Sequence, residues 1–436
     1  MKKKLSVGSL TFLLSLVYFT SYITRKNLGV IITAYEAGTG FANNLIGIAL
    51  TCLSVTYGIG QVVNGYMGDR TQPQNLITCG LVIVTLMNLL LPLLSFSITL
   101  VWVLWAINGF AQAMMWPPIV KILACDLSDK DYGRSILIVS CASALATVCL
   151  SLLSTPIIKL FDSWQAVFFI SAGIGVITTI YWFFMKNGCG HFDTSPTMIK
   201  SSDKTVKQKL NIPKIALLPL VFIFFAIILQ GMLRDGIEPL LPIYLTNALN
   251  VNADDAIIIT LAPAVLTFVF YYVSLWLYKR FFENEVTLGG ILFGVSAFFA
   301  IVLALMFIIL KIDVDAIDAN NIGFAEIAPI ICLTLITSTM HGVNLMLNTQ
   351  VPKRFKKYGN VSTFAGVLNA CTYIGSAIAF PLFLSLDWFA TVIICAGITI
   401  AGAVCCFIAV PRWQKFVFGK EEKIDPVTEE PAEVTE

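Results

Sequence analysis

At 436 residues, with 57% hydrophobic and 12% charged side chains and a mean hydropathy of +0.84, the chain is too apolar to remain in solution as a globular domain. A soluble class is therefore excluded and a polytopic membrane protein, with the lipid bilayer as its surroundings, is indicated. The net charge of +2 says little by itself, and no nucleic-acid partner is expected.

A bilayer core needs about 20 apolar residues per helix. Twelve segments reach that length, starting near residues 6, 44, 75, 98, 135, 165, 215, 256, 286, 327, 359 and 388. Each is too long and too evenly apolar for a barrel strand, so the expected fold class is an all-α integral membrane protein of twelve transmembrane helices. The first run has the basic start of a signal peptide. It is longer than an h-region, however, and shows no small-residue cleavage site before Arg25, which predicts a retained first helix.

Span 1 contains VYFTSYITRKNLGV, which sets Tyr18 and Tyr22 seven and three residues before Arg25 and hence on one helical face. Lys26 points about 100° away from Arg25, toward a neighbouring helix or loop, with contact to a ligand as the alternative. Span 2 continues the polar lining with Tyr57 and Gln61, four apart. In span 4, GFAQAMMWPPIVK predicts a helix interrupted just after Trp116 by Pro117 and Pro118. A polar, Gly-, Ser- and Lys-rich stretch then divides the chain. The expected units are an N-terminal six-helix bundle over 1–186, a central loop over 187–213, a second bundle over 214–412 and a disordered acidic tail over 413–436. Span 7 carries QGMLRDGIEPLLPIYL, a Gly- and Pro-interrupted segment with Arg234 near its start. Span 10 places Asn344 and Asn348 three and seven residues after His341, giving it a polar face. His341 is either a proton-sensitive group or a neutral histidine bonded to another helix. Asn369 and Tyr373 lie four apart in span 11.

Basic residues cluster in the tail Lys2 to Lys4, the central Lys200 to Lys214 group and Lys353 to Lys357, whereas Glu36, Asp254, Asp255, Asp313, Asp315 and Asp318 fall in the alternate loops. Because short cytoplasmic loops collect Lys and Arg, both termini are expected to be cytoplasmic. The short loops point to a bacterial inner membrane. Most of the eleven cysteines lie within spans, and no metal spacing, cofactor motif or nucleophile–base pair occurs, so neither a metal, a cofactor nor an enzyme is expected.

Ionisable groups sit in every third span: Arg25 and Lys26 in span 1, Lys121 in span 4, Arg234, Asp235 and Glu238 in span 7, and His341 in span 10. A guanidinium at membrane depth costs several kcal/mol and normally faces a polar cavity. Arg25 and Arg234 lie at equivalent depths in the two halves, which predicts a central anion site built from both. A guanidinium fork suits phosphate because it makes two parallel charge-assisted hydrogen bonds. The competing reading is that Arg234 pairs with Asp235 or Glu238 and serves packing.

GYMGDRTQPQ between spans 2 and 3 resembles the loop of the major facilitator superfamily in Gly65, Asp69 and Arg70, though Gln72 and Gln74 depart from it. Within that superfamily, YITRKNLGV, YGIGQVVNGYMGDR, MMWPP and RDGIEPLLPIYL resemble the organophosphate:phosphate antiporters. The resemblance implies two pseudo-symmetric six-helix bundles, the major facilitator fold. It also implies phosphate binding by Arg25 and Arg234, with Tyr18, Tyr22, Tyr57 and Trp116 around them. Gln61 stands where members often have lysine, and Ser143 where some have histidine. The implied activity is secondary transport of sugar phosphate or glycerol phosphate in exchange for inorganic phosphate, by a monomer. A carboxylate or sulfonate carrier and a transporter-like sugar-phosphate sensor are the alternatives.

Overall fold

A computed structural model describes residues 5–189, 212–237, 261–310 and 324–419. Fourteen helices carry the described chain: α1 Val7–Val30, α2 Ile32–Thr39, α3 Asn43–Arg70, α4 Pro73–Leu94, α5 Ile98–Gln112, α6 Trp116–Asp126, α7 Asp129–Phe161, α8 Gln165–Met185, α9 Lys214–Ile237, α10 Leu261–Arg280, α11 Glu285–Leu310, α12 Phe324–Leu345, α13 Val361–Leu384 and α14 Trp388–Phe418. Eleven spans, with α5 and α6 counted as one, are long and apolar enough to cross a membrane, and α10 stands in the remaining position of the expected twelve. The Lys200 to Lys209 part of the central loop, His191, Glu238, Pro239, Pro242, Lys311, the acidic groups 254–255 and 313–318, and the tail beyond 419 lie outside the described residues.

Three departures from the sequence reading have physical causes. Span 5 begins at Asp129, earlier than expected, because Ser128 caps it by accepting from the Asp131 N–H at 3.3 Å, while Asp129 and Asp131 place negative charge at the helix start. The break in span 4 falls at 113–115, before Trp116 rather than after it. Proline acts one turn upstream: Pro117 and Pro118 have no N–H for the carbonyls of Ala113 and Met114. Finally, α14 runs past Arg412, where the tail was expected to begin, because Trp413 is fully buried and donates to Glu285 Oε1 at 3.0 Å.

The two halves repeat one packing scheme. In the first, α1 packs on α7, α3 on α5, and α4 on α8; in the second, α9 packs on α13, α10 on α12, and α11 on α14. Between halves, α3 lies against α13 and α7 against α10. At the end of the bundle where α1 begins and α14 ends, the terminal end, the two halves are fastened together. Asp69 accepts from the backbone N–H groups of Ser362 and Thr363 at 3.0 and 2.7 Å, at the start of α13. Tyr132 donates to the Thr349 carbonyl at 2.6 Å, within a π-helical segment, Met346–Gln350, that follows α12. Glu285, wholly buried, accepts from Arg354 at 2.8 Å. Burial opposes the Arg354 charge, but this carboxylate outweighs it and holds the guanidinium above its usual range. The Lys353–Asp129 pair, 2.8 Å long, contributes little because Asp129 is 89% exposed.

Candidate functional site

The first half holds α1 in place by amides that interrupt apolar runs. Asn27 donates to Asn88 Oδ1 at 2.7 Å, and Asn88 and Asn108 each donate to the Thr24 carbonyl, at 2.9 and 3.0 Å. Gln112 donates to Thr24 Oγ1 at 3.0 Å and accepts from Ser21 at 2.6 Å. These bonds tie α1 to α4 and α5 directly around Arg25 and fix the direction of its side chain. They were not singled out from the sequence, although isolated amides in apolar spans such as LMNLLLP are the signal that would have found them.

Arg25 is 5% exposed and is held by aromatic groups from both halves. Its guanidinium carbon lies 4.2 Å from the Tyr22 ring and 4.7 Å from the Tyr57 ring, and Nη1 donates to the Tyr373 hydroxyl at 3.2 Å. Tyr57 meets Tyr373 edge-on at 4.5 Å and accepts from Asn369 at 3.2 Å, so the polar faces of spans 2 and 11 converge here. Tyr18 contacts Tyr22 at 5.1 Å and stacks on Trp116 at 4.7 Å, which places Trp116 behind the tyrosines rather than beside the guanidinium. Among the described residues Arg25 Nε is buried without a partner, leaving donor capacity uncommitted.

Arg234, 8% exposed, sits differently: its Nε and Nη2 donate to the two carboxylate oxygens of Asp235 at 2.6 and 2.7 Å. It is linked to Arg25 through α13, which packs on α9 and carries the Tyr373 that Arg25 contacts. Lys26, next along α1, is exposed. His341 lies 3.3 Å from the Tyr271 hydroxyl through Nδ1, bonded to another helix, α10. Asn344 accepts from Asn348 at 2.6 Å, and Asn348 also bonds Thr372 at 2.9 Å, which ties Asn344 into packing of the second half. Gln61 and Asn64, fully buried on α3, have no hydrogen-bond partner among the described residues for any of their side-chain amide atoms.

Two repeated helical bundles, each with a buried arginine at membrane depth and with tyrosines of both halves around one of them, define the build of a secondary transporter. The chain belongs to the Major Facilitator Superfamily, which it matches over residues 14–380. It is 26% identical over 341 residues to the glycerol-3-phosphate transporter of Bacillus subtilis, covering 73% of this chain and 75% of that one. Over 160 residues it is 29% identical to a probable hexose phosphate transport protein of Chlamydia trachomatis, covering 37% and 35%. Over 119 residues it is 29% identical to the membrane sensor protein UhpC of Escherichia coli, covering 27% and 26%. A bacterial homologue of the iron transporter ferroportin, solved in an outward-facing state, shares the fold with a TM-score of 0.69 at 10% identity, over 93% of this chain and 99% of that one. The family is one of membrane transporters rather than enzymes.

Proposed function

We propose that this protein is a secondary active transporter of phosphorylated organic anions, sugar phosphate or glycerol phosphate, exchanging them for inorganic phosphate by alternating access. The observation that carries the reading is the pair of buried arginines, one from each half, with Arg25 bonded to Tyr373 on α13, the helix that packs on the α9 of Arg234. A phosphoryl group has enough acceptor oxygens to engage both guanidinium groups at once. Ligand held by both halves draws them together and lowers the barrier to reorientation. The similarity to glycerol- and hexose-phosphate transporters supports the phosphorylated cargo. Gln61 and Ser143, neutral where the resemblance has cationic residues, leave a less positive pocket for the organic part of the ligand. The terminal end of the bundle faces the cytoplasm of a bacterial plasma membrane in this reading, and the unit is a monomer.

The test is exchange in liposomes preloaded with inorganic phosphate, following uptake of labelled glycerol 3-phosphate and glucose 6-phosphate. Arg25→Ala and Arg234→Ala are each expected to abolish exchange, and wild-type rates in either variant would overturn the assignment. The partial similarity to a membrane sensor favours a second reading, in which ligand binds without crossing. Saturable binding with no flux in the same liposomes would select it.

A further inference from the structure

One half-buried charge on α9 is not used by the exchange mechanism. Asp235 grips Arg234 with both oxygens, and the two side chains are 25% and 10% exposed. Arg25 is held otherwise, by two aromatic faces and one tyrosine hydroxyl, with Nε unpaired. The two halves therefore present an incoming anion with unlike arginines, one with open donors and one already occupied by an internal carboxylate. A phosphoryl group binding Arg234 in fork geometry needs the same two N–H directions that Asp235 takes.

We propose that Asp235 is a built-in competitor for the Arg234 fork, occupying it when the site is empty and yielding it to the phosphoryl group of the ligand. The proposal rests on the reading of Arg234 as a ligand-binding residue. Asp235 is then a positioning residue that sets affinity and release. A carrier that bound its anion through two fully open arginines would hold it too long to exchange it quickly, and an internal carboxylate that reclaims one fork speeds departure.

The experiment compares inorganic phosphate binding by calorimetry, and phosphate exchange in liposomes, for the wild type and Asp235→Asn. Removing the competing charge is expected to tighten phosphate binding by about tenfold or more, the scale of a close charge pair. The Michaelis constant and the maximal exchange rate should fall together. A purely structural carboxylate predicts the opposite for affinity, so phosphate bound by the variant with unchanged or weaker affinity overturns the proposal. Asp235→Ser serves as a second variant, and failure of both to fold also overturns it by assigning Asp235 to the fold. If the wild type itself binds no phosphate, the transport reading falls as well. Binding by the wild type without tightening in the variants removes the competitor alone.

Discussion

Arg25 keeps its charge inside an apolar bundle through aromatic faces rather than through a neutralising carboxylate. Two tyrosine rings within 5 Å each contribute about 0.5–2 kcal/mol, against a burial cost of several kcal/mol, and they do so without consuming the N–H donors. Tyr373→Phe removes the one hydroxyl that Nη1 contacts. It is expected to raise the Michaelis constant for phosphate by about three- to tenfold, the scale of one hydrogen bond to a charged group, while the melting temperature stays near wild type; exchange kinetics and a detergent melt measure both. Gln61 and Asn64 present the reverse case, polar groups buried with no partner. Gln61→Leu should raise the melting temperature, because an unmet amide costs about 1–3 kcal/mol, and a lowered one would mean that water or ligand satisfies it. Much of this centre was legible in the sequence: the three- and seven-residue spacing before Arg25 put Tyr18 and Tyr22 on its face. The sequence leaves the Arg234–Asp235 grip as one of two alternatives, the other being an open fork. Neighbours on a helix diverge by about 100°, and only the length and rotamer of the arginine bring its fork back to the adjacent carboxylate.

Elements show where hydropathy ceases to be informative. Apolar length located the helices, but the glycines that set how closely they pack read as ordinary apolar positions. Gly231 on α9 and Gly375 on α13 lie at a crossing where an added Cβ would collide with the carbonyls of Thr372 and Ile228, so the two helices meet backbone to backbone. Gly375→Ala is therefore expected to destabilise the second half by about 1–3 kcal/mol through overpacking, read as a lowered melting temperature, and a neutral result would show that the crossing can open without loss. The π-helical segment Met346–Gln350 was likewise invisible, since its residues are as helix-compatible as those around it. The wider turn there is settled by partners distant in sequence, Thr372 for Asn348 and Tyr132 for the Thr349 carbonyl.

For the whole molecule, the spacing of ionisable residues at every third span suggests a three-helix unit, while the paired packing of α1 on α7 and of α9 on α13 repeats the six-helix half. The fastening at the terminal end was less legible, because Asp69 pairs with backbone N–H groups that no side-chain pattern announces. Asp69→Asn weakens a charge-assisted contact worth about 1.5–3 kcal/mol and should shift the population toward opening at that end. Spin labels at Arg134 and Lys357 would report longer distances in the variant, whereas an unaltered distance distribution would remove Asp69 from the closure. The aromatic relay behind Arg25 has a practical consequence. From the guanidinium the path runs through Tyr22 and Tyr18 to Trp116, ring against ring, and ends on an indole whose buried Nε1 has no partner among the described residues. Such an indole is an optical gauge of the local field. With the other seven of the eight tryptophans replaced, its emission colour would follow the arrival and departure of an anion in an intact membrane without an added dye.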